Sequence, residues 1–599
     1  MKKEYAINNF YQGGYSSLNK ESIYSTGYSA PAHLLGASTK PDTANQIAQI
    51  TSLLNQGIIP IEVGAIVPQA FETIPKQHFK EMNRMAKLTG AKLSLHAPLV
   101  EPSGIGQQGY DVTERLMAEN QFKDVVEKAM DLNDKGGTSV TFHPLGQQML
   151  PGREYIKTKD GKKLQRLAII NQETGQIGQA KEEYKFYPGE NLDKGVLHNP
   201  IKDINTYNNS EWVNKLTNLE SFKKHADEII EESLPSLMPI LSKKIKEGES
   251  LNLTPEQQAS ARKLEKADIF LHNVETSLNN LFHNAWKYST DEESKKILKG
   301  LSENWAKKSE EELRSSKTST ELIVKKAQLL DDTILSLKQV RKPPRLFVPL
   351  DEYATEKAAE TFANVAVHAN EVAKKQGKNP VQINIENLFP GTTFGYAEQM
   401  DKLITTSRDK FVDKLKEKGF EQKQAEKKAQ EIIGMTFDLG HLNLAKKYGY
   451  EDEDLRKEAE QIAKHVKHVH VTDNFGFADS HLAPGMGNVP TKILLEELEK
   501  QRVKDPTKIV EAGGVVQHFN QSPLTYALEG MNSNVYSEGV GPYWSQTIGL
   551  YQGYGGEMGT FLPNTHYETF GAGFSMLPRE LGGAKPGAQG SRMSGRGME

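Results

Sequence analysis

Eight short apolar segments recur along this chain, and most are separated by amphipathic helical patterns. Short apolar runs that end in polar residues and alternate with helices are typical of strands in a parallel sheet. The predicted strands are His33–Gly36, Ile58–Val63, Ala91–Leu95, Ser139–Phe142, Val381–Ile385, Met435–Phe437, Val466–Val471 and Lys508–Val510. Eight such strands with intervening helices predict a closed (β/α)8 barrel of the α/β class.

The helical segments between the strands carry recognisable caps and apolar faces. Thr43–Asn55 is predicted as a helix with Asp42 as its N-cap, and Gln121–Asn133 as a second helix. Asp351–Lys375 is predicted as a barrel helix whose apolar residues recur at helical spacing. The residues on that face are Ala358, Phe362, Val365, Ala369 and Val372. This face is expected to pack against the barrel.

The alternation stops between residues 148 and 345, a stretch too long to lack structure of its own in a compact domain. Turn sequences at Lys159–Gly161 and Glu173–Gly175 predict one or two hairpins in its first part. Its remainder has helical patterns. Thr254–Gln257 combines an N-cap, a proline and a reciprocal glutamine, and predicts a long helix that reaches about Trp286.

The composition changes again after residue 520, to Gly, Tyr, Phe and Asn, and the last stretch, GGAKPGAQGSRMSGRGME, is of low complexity. A loop-rich C-terminal extension with a disordered tail is therefore expected. The predicted parts are the two barrel halves at 1–147 and 346–520, a mostly helical insertion after strand four at 148–345, and the extension at 521–599.

Composition excludes several kinds of site. The chain has no cysteine, so a disulfide, a thiolate zinc site and a cysteine nucleophile are impossible, and any metal must be bound by His, Asp or Glu. The N-terminal lysines precede no apolar segment, and no run approaches eighteen apolar residues, so we expect a cytoplasmic protein without a membrane segment. The formal charge of −4 gives no support for DNA as a partner, which would need a local basic groove.

Ionisable residues follow the predicted strands at the end where a barrel of this kind forms its active site. Nine residues share this placement: His96, His143, Glu386, Asp438, His441, His470, Asp479, His481 and Glu511. Carboxylates crowded at one mouth repel each other unless cations are bound between them. Nitrogen and oxygen ligands suit zinc, manganese or iron, and nine are more than one ion can use. We therefore predict two or three divalent ions, with Zn2+ favoured and Mn2+ or Mg2+ as alternatives.

Three other ionisable residues of the strands are expected to have structural roles. His465 and His468 fall outside the strand-end pattern, and His468 lies one layer deeper than His470. Glu62 ends a strand and is predicted to form a buried ion pair.

The sequence resembles the xylose-isomerase-like barrel superfamily, which contains endonuclease IV and many sugar isomerases and epimerases. The resemblance covers roughly residues 30–147 and 345–515, through the strand-end His96 and the motifs FHP, IEN, FDLGH, HVTDN with DSH and GMG, and VEAGG. The endonuclease IV pattern implies a first ion on His96, His143 and Glu386. It implies a second ion, bridged by Glu386, on Asp438, His470 and Glu511. It implies a third on His441, Asp479 and His481. In that family the ions activate water and stabilise phosphate oxygens during phosphodiester cleavage at abasic DNA sites.

Three functions remain open on this evidence. The complete set of nine residues supports an endonuclease IV-like phosphodiesterase. A sugar or sugar-phosphate isomerase or epimerase would need one Mn2+ or Mg2+ ion, with Glu386 and Glu511 as acid and base. A third possibility is a scaffold whose helical insertion is a binding module. No Tyr or Arg near Leu99 or Gln69 matches the side chains with which DNA repair members hold a flipped nucleotide, so the substrate is left as a phosphate ester or a sugar.

Overall fold

The computed structural model describes residues 25–533, apart from 107, 160, 190–192, 248–253, 314–315, 317, 502, 504–506 and 520–522. The chain divides into two compact units, one comprising Met1–Ala168 with Leu350–Glu599 and the other Ile169–Pro349. The expected disordered tail and most of the predicted C-terminal extension lie outside the described residues.

Eight parallel strands of the first unit close into a barrel, as the sequence predicts. The strands are β1 (Leu35–Ser38), β2 (Pro60–Gly64), β3 (Lys92–His96), β4 (Ser139–Phe142), β5 (Gln382–Glu386), β6 (Ile433–Asp438), β7 (Val466–Val471) and β8 (Thr507–Val510). Their order around the barrel follows the chain, and the barrel closes where Leu35 of β1 lies opposite Lys508 of β8. Because all strands run the same way, their carboxyl ends meet at one mouth.

Helices connect the strands of this unit. They are Gln46–Asn55, Pro68–Glu72, Lys76–Thr89, Val112–Ala129, Leu350–Gln376, Ala397–Glu417, Gln422–Ile432, Leu439–Asn443, Asp452–Ile462, Thr491–Lys500, Gly513–Phe519 and Pro523–Gly530. Short 3-10 segments lie at Ala32–Leu34, Met130–Leu132, Leu444–Tyr448 and Ala463–His465. A two-stranded sheet pairs Ile105–Gly106 with Gly109–Tyr110.

Two predicted helix starts were wrong, and in each the structure shows which side chain caps the helix. The first helix begins at Gln46 because the side chain of Asn45, not Asp42, accepts a hydrogen bond from the backbone N–H of Ala48. The helix predicted from Gln121 begins at Val112, where the side chain of Asp111 accepts from the Thr113 N–H.

Aromatic packing fixes the strand that precedes one of the predicted ligands. Phe142 at the end of β4 contacts Phe122 and Phe362, with ring centroids 4.8 and 6.3 Å away, and the latter two rings stack at 5.9 Å. All three side chains are fully buried. Burial of each ring stabilises the fold by about 1.5–3 kcal/mol, so the backbone before His143 is held rigidly.

The start of the predicted insertion is a hairpin, as its turn residues indicate. In the first unit, Arg153–Thr158 pairs antiparallel with the strand Gly161–Asn171. Ion pairs from Lys157 to Asp454 and from Lys162 to Glu458 connect this hairpin to the helix Asp452–Ile462.

The second unit is mostly helical and has a core of its own. Its helices are Pro200–Glu247, Pro255–Tyr288, Glu292–Lys308 and Ser319–Leu337, with a π-helical turn at Ser309–Leu313. Its strands are the end of Gly161–Asn171 with Ile177–Lys181, Glu183–Lys185, Val196–His198 and Phe347–Pro349. The predicted capping box is confirmed, since the Thr254 and Gln257 side chains each bond to the other's backbone. Within the part of the chain that is described, no helix is both long and apolar enough to cross a membrane.

Candidate metal centre

The structure brings the nine predicted residues to the mouth of the barrel. His96, Glu386 and Asp438 are the last residues of β3, β5 and β6, and His470 is the penultimate residue of β7. The others lie just beyond a strand: His143, His441, Asp479, His481 and Glu511. Their placement follows from parallel strands that end in a common plane.

Glu386 is the centre of the first group of side chains. Its Oε2 lies 2.8 Å from Nε2 of His143 and 3.4 Å from Nε2 of His96. Its Oε1 lies 2.8 Å from Nδ1 of His470, which is also 3.4 Å from Oε1 of Glu511. Each oxygen therefore faces a different set of imidazoles, the arrangement that a bridging carboxylate requires.

A second group lies nearer to solvent. Oδ2 of Asp479 is 3.5 Å from Nε2 of His441 and 2.8 Å from Nε2 of His481. The side chains of His481 and Asp479 are 36% and 17% exposed, whereas that of Glu386 is 1% exposed. A substrate that enters from solvent would thus meet this group first.

Backbone carbonyls determine which nitrogen of two rings carries a proton. Nδ1 of His96 is 3.1 Å from the Ala97 oxygen, and Nδ1 of His441 is 2.8 Å from the Asn387 oxygen. Since a carbonyl only accepts, both Nδ1 atoms must be the donors. In the neutral form of each ring the lone pair is therefore on Nε2, which faces Glu386 or Asp479, as in histidines that bind metals.

Buried carboxylate oxygens without a partner also fit a bound cation. Oδ1 of Asp438 accepts from Thr472 Oγ1 at 2.8 Å and from the His441 N–H at 2.9 Å. Its Oδ2 is buried without a hydrogen bond, and so is Oδ1 of Asp479. Buried polar atoms are normally paired, and a charged oxygen costs most to leave alone. The donor set, all nitrogen and oxygen, fits a divalent ion.

The charges of the centre are strongly coupled. Burial raises the pKa of Glu386, but the facing His470 and His143 outweigh it and hold the pKa well below its usual range. Burial likewise lowers the pKa of His470, yet the carboxylates of Glu511, Glu62 and Glu386 raise it well above its usual value.

The outer group shows the same balance. Burial lowers the pKa of His441, and Asp438 and Asp479 together raise it well above its usual value. Burial lowers the pKa of His481, but Asp479, together with Glu511 and Asp438, outweighs burial and raises the pKa to about 9. His143 differs, because burial outweighs Glu386 and lowers its pKa. Imidazolium protons therefore balance the carboxylates here, and metal ions can replace those protons.

One residue that the sequence analysis missed fixes the loop after β7. The buried carboxylate of Asp473 accepts from the N–H groups of Gly485 at 2.8 Å and Val489 at 3.0 Å. A Cβ at Gly487 would lie 2.3 Å from the Asn474 oxygen, so this path admits only glycine there. Asp473 thus positions the loop that carries Asp479, and its signal was the DN pair directly after the strand.

Glu62 forms the buried ion pair that the sequence predicts. Its Oε2 lies 2.9 Å from Nε2 of His468 and accepts from Ser94 Oγ at 3.0 Å. Its Oε1 lies 2.9 Å from Nε2 of His470. Glu62 therefore lies in the barrel interior, next to the candidate ligand His470.

The fold and the site together define a closed (β/α)8 barrel with a cluster of potential metal ligands at the mouth formed by β3 to β8. Residues 297–532 match the family model described as xylose isomerase-like TIM barrel. The match spans less than half of the chain and includes strands β5 to β8, so it supports the predicted likeness to that superfamily for this part of the barrel.

Two further comparisons show more distant likeness. An uncharacterised protein of Methanocaldococcus jannaschii is 40% identical over 68 residues, which cover 11% of this chain. The match spans 22% of the length of that relative. A crystal structure titled D-tagatose 3-epimerase-like protein aligns with 83% of this chain and 98% of its own, at 12% identity and a TM-score of 0.35.

Proposed function

We propose that this protein is a metal-dependent phosphoesterase of the endonuclease IV type, with a nucleic-acid phosphodiester as the first substrate class to test. One observation carries the proposal: His441, Asp479 and His481 form a ligand group of their own beside the group around Glu386. An isomerase centre with one ion needs only the inner ligands, so this second group favours a centre with several ions. Several ions at one mouth suit a reaction in which an attacking and a departing oxygen both need stabilisation.

The inner residues would hold two ions. His96 and His143 face one oxygen of Glu386, and His470 faces the other. Asp438 is oriented by Thr472 and completes the set with Glu511. When bound, divalent ions lower the pKa of water and neutralise charge on phosphate oxygens.

The chain's own residues supply orientation and water exclusion. Glu386, Asp438 and His470 are fully buried, so bulk water is kept from the inner centre and charge interactions there are strengthened. The more exposed Asp479 and His481 lie on the side from which a substrate would arrive, and they would hold the ion that stabilises the leaving oxygen. Phe389 contacts the His441 ring edge-on at 4.7 Å and fixes its plane.

A sugar or sugar-phosphate isomerase is the second candidate, and one observation favours it. Glu386, Asp438, His470 and Glu511 would by themselves complete a single-ion site. Glu386 and Glu511 both lie against Nδ1 of His470, at 2.8 and 3.4 Å, and would be near enough to one substrate to act as acid and base.

The double variant Asp479→Ala/His481→Ala separates the two candidates. A phosphoesterase should lose about one ion per chain, and hydrolysis of an abasic-site duplex and of a simple phosphodiester should fall on the order of a hundredfold or more. The same preparations are assayed for isomerisation of a panel of sugars. Unchanged metal content together with robust sugar isomerisation in both proteins would favour the isomerase.

A further inference from the structure

We infer that Phe475 and Phe477 form a stacking surface for an unstacked nucleobase beside the outer ligand group of Asp479 and His481. The inference rests on the proposed function and narrows its substrate class, from any nucleic-acid phosphodiester to one that adjoins a base outside the helical stack. It assigns a role to two residues of the loop after β7 that are not among the nine candidate ligands.

The two phenylalanines are unusual in the first unit because their rings are exposed to solvent. Phe477 is 76% exposed and Phe475 is 55% exposed. Every other phenylalanine or tyrosine of that unit whose side chain the structure describes is buried or half-buried. A single exposed apolar residue is ordinary, but two such rings on one short loop indicate a binding surface.

The rings belong to the same loop as the outer ligand group. Asp479 follows Phe477 by two residues, so the backbone limits the distance between their Cα atoms to about 7 Å. None of the residues from Phe477 to His481 is fully buried. One substrate can therefore contact a ring and the outer ligand group at the same time.

The backbone between the two rings is held in place. Gly476 is buried and has a φ of 85°, and a Cβ there would lie 2.9 Å from the Cβ of Lys446. The side chain of Asn488 donates to the Phe475 oxygen at 3.3 Å, and the Asn488 oxygen accepts from Nζ of Lys446 at 2.6 Å. Because the loop is ordered before a ligand arrives, less entropy is lost when a base stacks on it.

The occupant is inferred from the chemistry beside the rings. Proteins that bind single strands combine aromatic side chains, on which bases stack, with positive charge along the backbone. Ions in the proposed centre would supply such charge, and so would the exposed Lys447, which follows the Lys446 that packs against Gly476. In a duplex the faces of the bases already stack on each other, so only a base outside the stack offers a face to a phenyl ring. The substrate class inferred is therefore a nucleic acid with such a base.

The test compares two single strands that differ only in their bases, with the metal-loaded full chain. One is an oligodeoxynucleotide with phosphorothioate linkages, which resist hydrolysis, and the other has the same linkages and no bases. Phe475→Ala/Phe477→Ala should raise the Kd of the strand with bases about 5- to 150-fold, the range for the loss of one stacked base. The Kd of the strand without bases and the metal content should not change. Phe475→Trp/Phe477→Trp keeps two stacking faces and should bind both strands as the unaltered protein does.

Leu88→Ala is the matched control. Leu88 is 73% exposed and lies at the end of the helix Lys76–Thr89, which precedes β3 and so is far from the mouth. This variant should leave both Kd values unchanged.

Equal affinity of the unaltered protein for the two strands would overturn the inference, and so would an equal loss for both strands in the alanine variant. A change in oligomeric state in that variant, measured by light scattering, would overturn it too, because the rings would then contact a second copy of the chain. Binding that depends on bases and on the two rings, without cleavage of any phosphodiester, would count against the proposed function alone. Cleavage of a phosphodiester with no effect of the bases on affinity would count against the inference alone.

Discussion

The two ends of the barrel both contain buried histidines, and they differ in how those histidines are paired. At the amino-terminal end, His465 precedes β7 and has a complementary partner on each nitrogen: Arg408 donates to Nδ1 at 3.0 Å, and Nε2 lies 2.9 Å from Asp401. At the mouth, His470 at the other end of the same strand is surrounded by carboxylates on both sides.

The electrostatic consequences are opposite. Burial, with Arg408 acting in the same direction, lowers the pKa of His465 to about 4, so this ring is neutral and has nothing left to bind. The carboxylates around His470 raise its pKa well above the usual value despite burial. Both histidines are buried, so burial does not distinguish a structural histidine from a candidate ligand. The charges of the groups that face the ring do. This difference agrees with the rule that function lies at the carboxyl ends of barrel strands.

The strongest test of this comparison pairs Glu386→Gln with His465→Gln. Glu386→Gln removes the charge that faces His143 and His470, and we expect the loss of at least one bound ion and a fall in turnover of about a hundredfold or more, with the fold intact. His465→Gln should lower the free energy of unfolding by about 1–3 kcal/mol, since buried partners lose a bond, while ion content stays the same.

These outcomes are read by metal analysis, thermal unfolding and activity on the same preparations. Full metal content and full activity in Glu386→Gln would contradict the assignment of the metal centre to the mouth of the barrel. A loss of ions in His465→Gln would show that the two ends do not differ as described.

A smaller effect is expected from pH. The folded pKa of His481, about 9, lies above its ordinary value of 6.5, so the folded metal-free chain favours the imidazolium. That contribution to stability is complete below pH 6.5 and is lost as the pH rises through 9. Metal affinity should change in the opposite sense, because an ion must displace the proton and binds more tightly as the pH rises.

The measurement is the unfolding temperature of metal-free and Zn2+-loaded protein between pH 6.5 and 9. The gap between the two curves should widen with pH, and in His481→Gln it should widen less. A gap that stays constant over this range in the unaltered protein would argue against proton displacement at the mouth.

Much of this site could be predicted from sequence, because strand ends can be read from short apolar runs. β4 and β7 have the predicted bounds, and the other six strands differ from prediction by one or two residues at one or both ends. The residue at which a strand ends determines how far along the barrel axis a side chain such as His96 or Glu386 lies. The convergence of the nine side chains then follows from the topology.

What could not be predicted depends on contacts between distant strands. Glu62 pairs with His468 and His470, across the barrel, and no local pattern indicates these partners. Asp473 orders the loop after β7 through backbone N–H groups more than ten residues away. The start of the first helix was predicted wrongly for a different reason, because Asp42 and Asn45 are both residues that cap helices well. The metal roles of the nine residues and the predicted domain bounds remain predictions.

The most direct test of the central claim is the number of divalent ions per chain in protein purified without chelator, measured by mass spectrometry under native conditions. The inner and outer ligand groups at the mouth predict two or three ions, with Zn2+ the principal metal. A single ion would support the isomerase instead. A chain that carries no ion, and takes up none when Zn2+ or Mn2+ is added, would contradict the account.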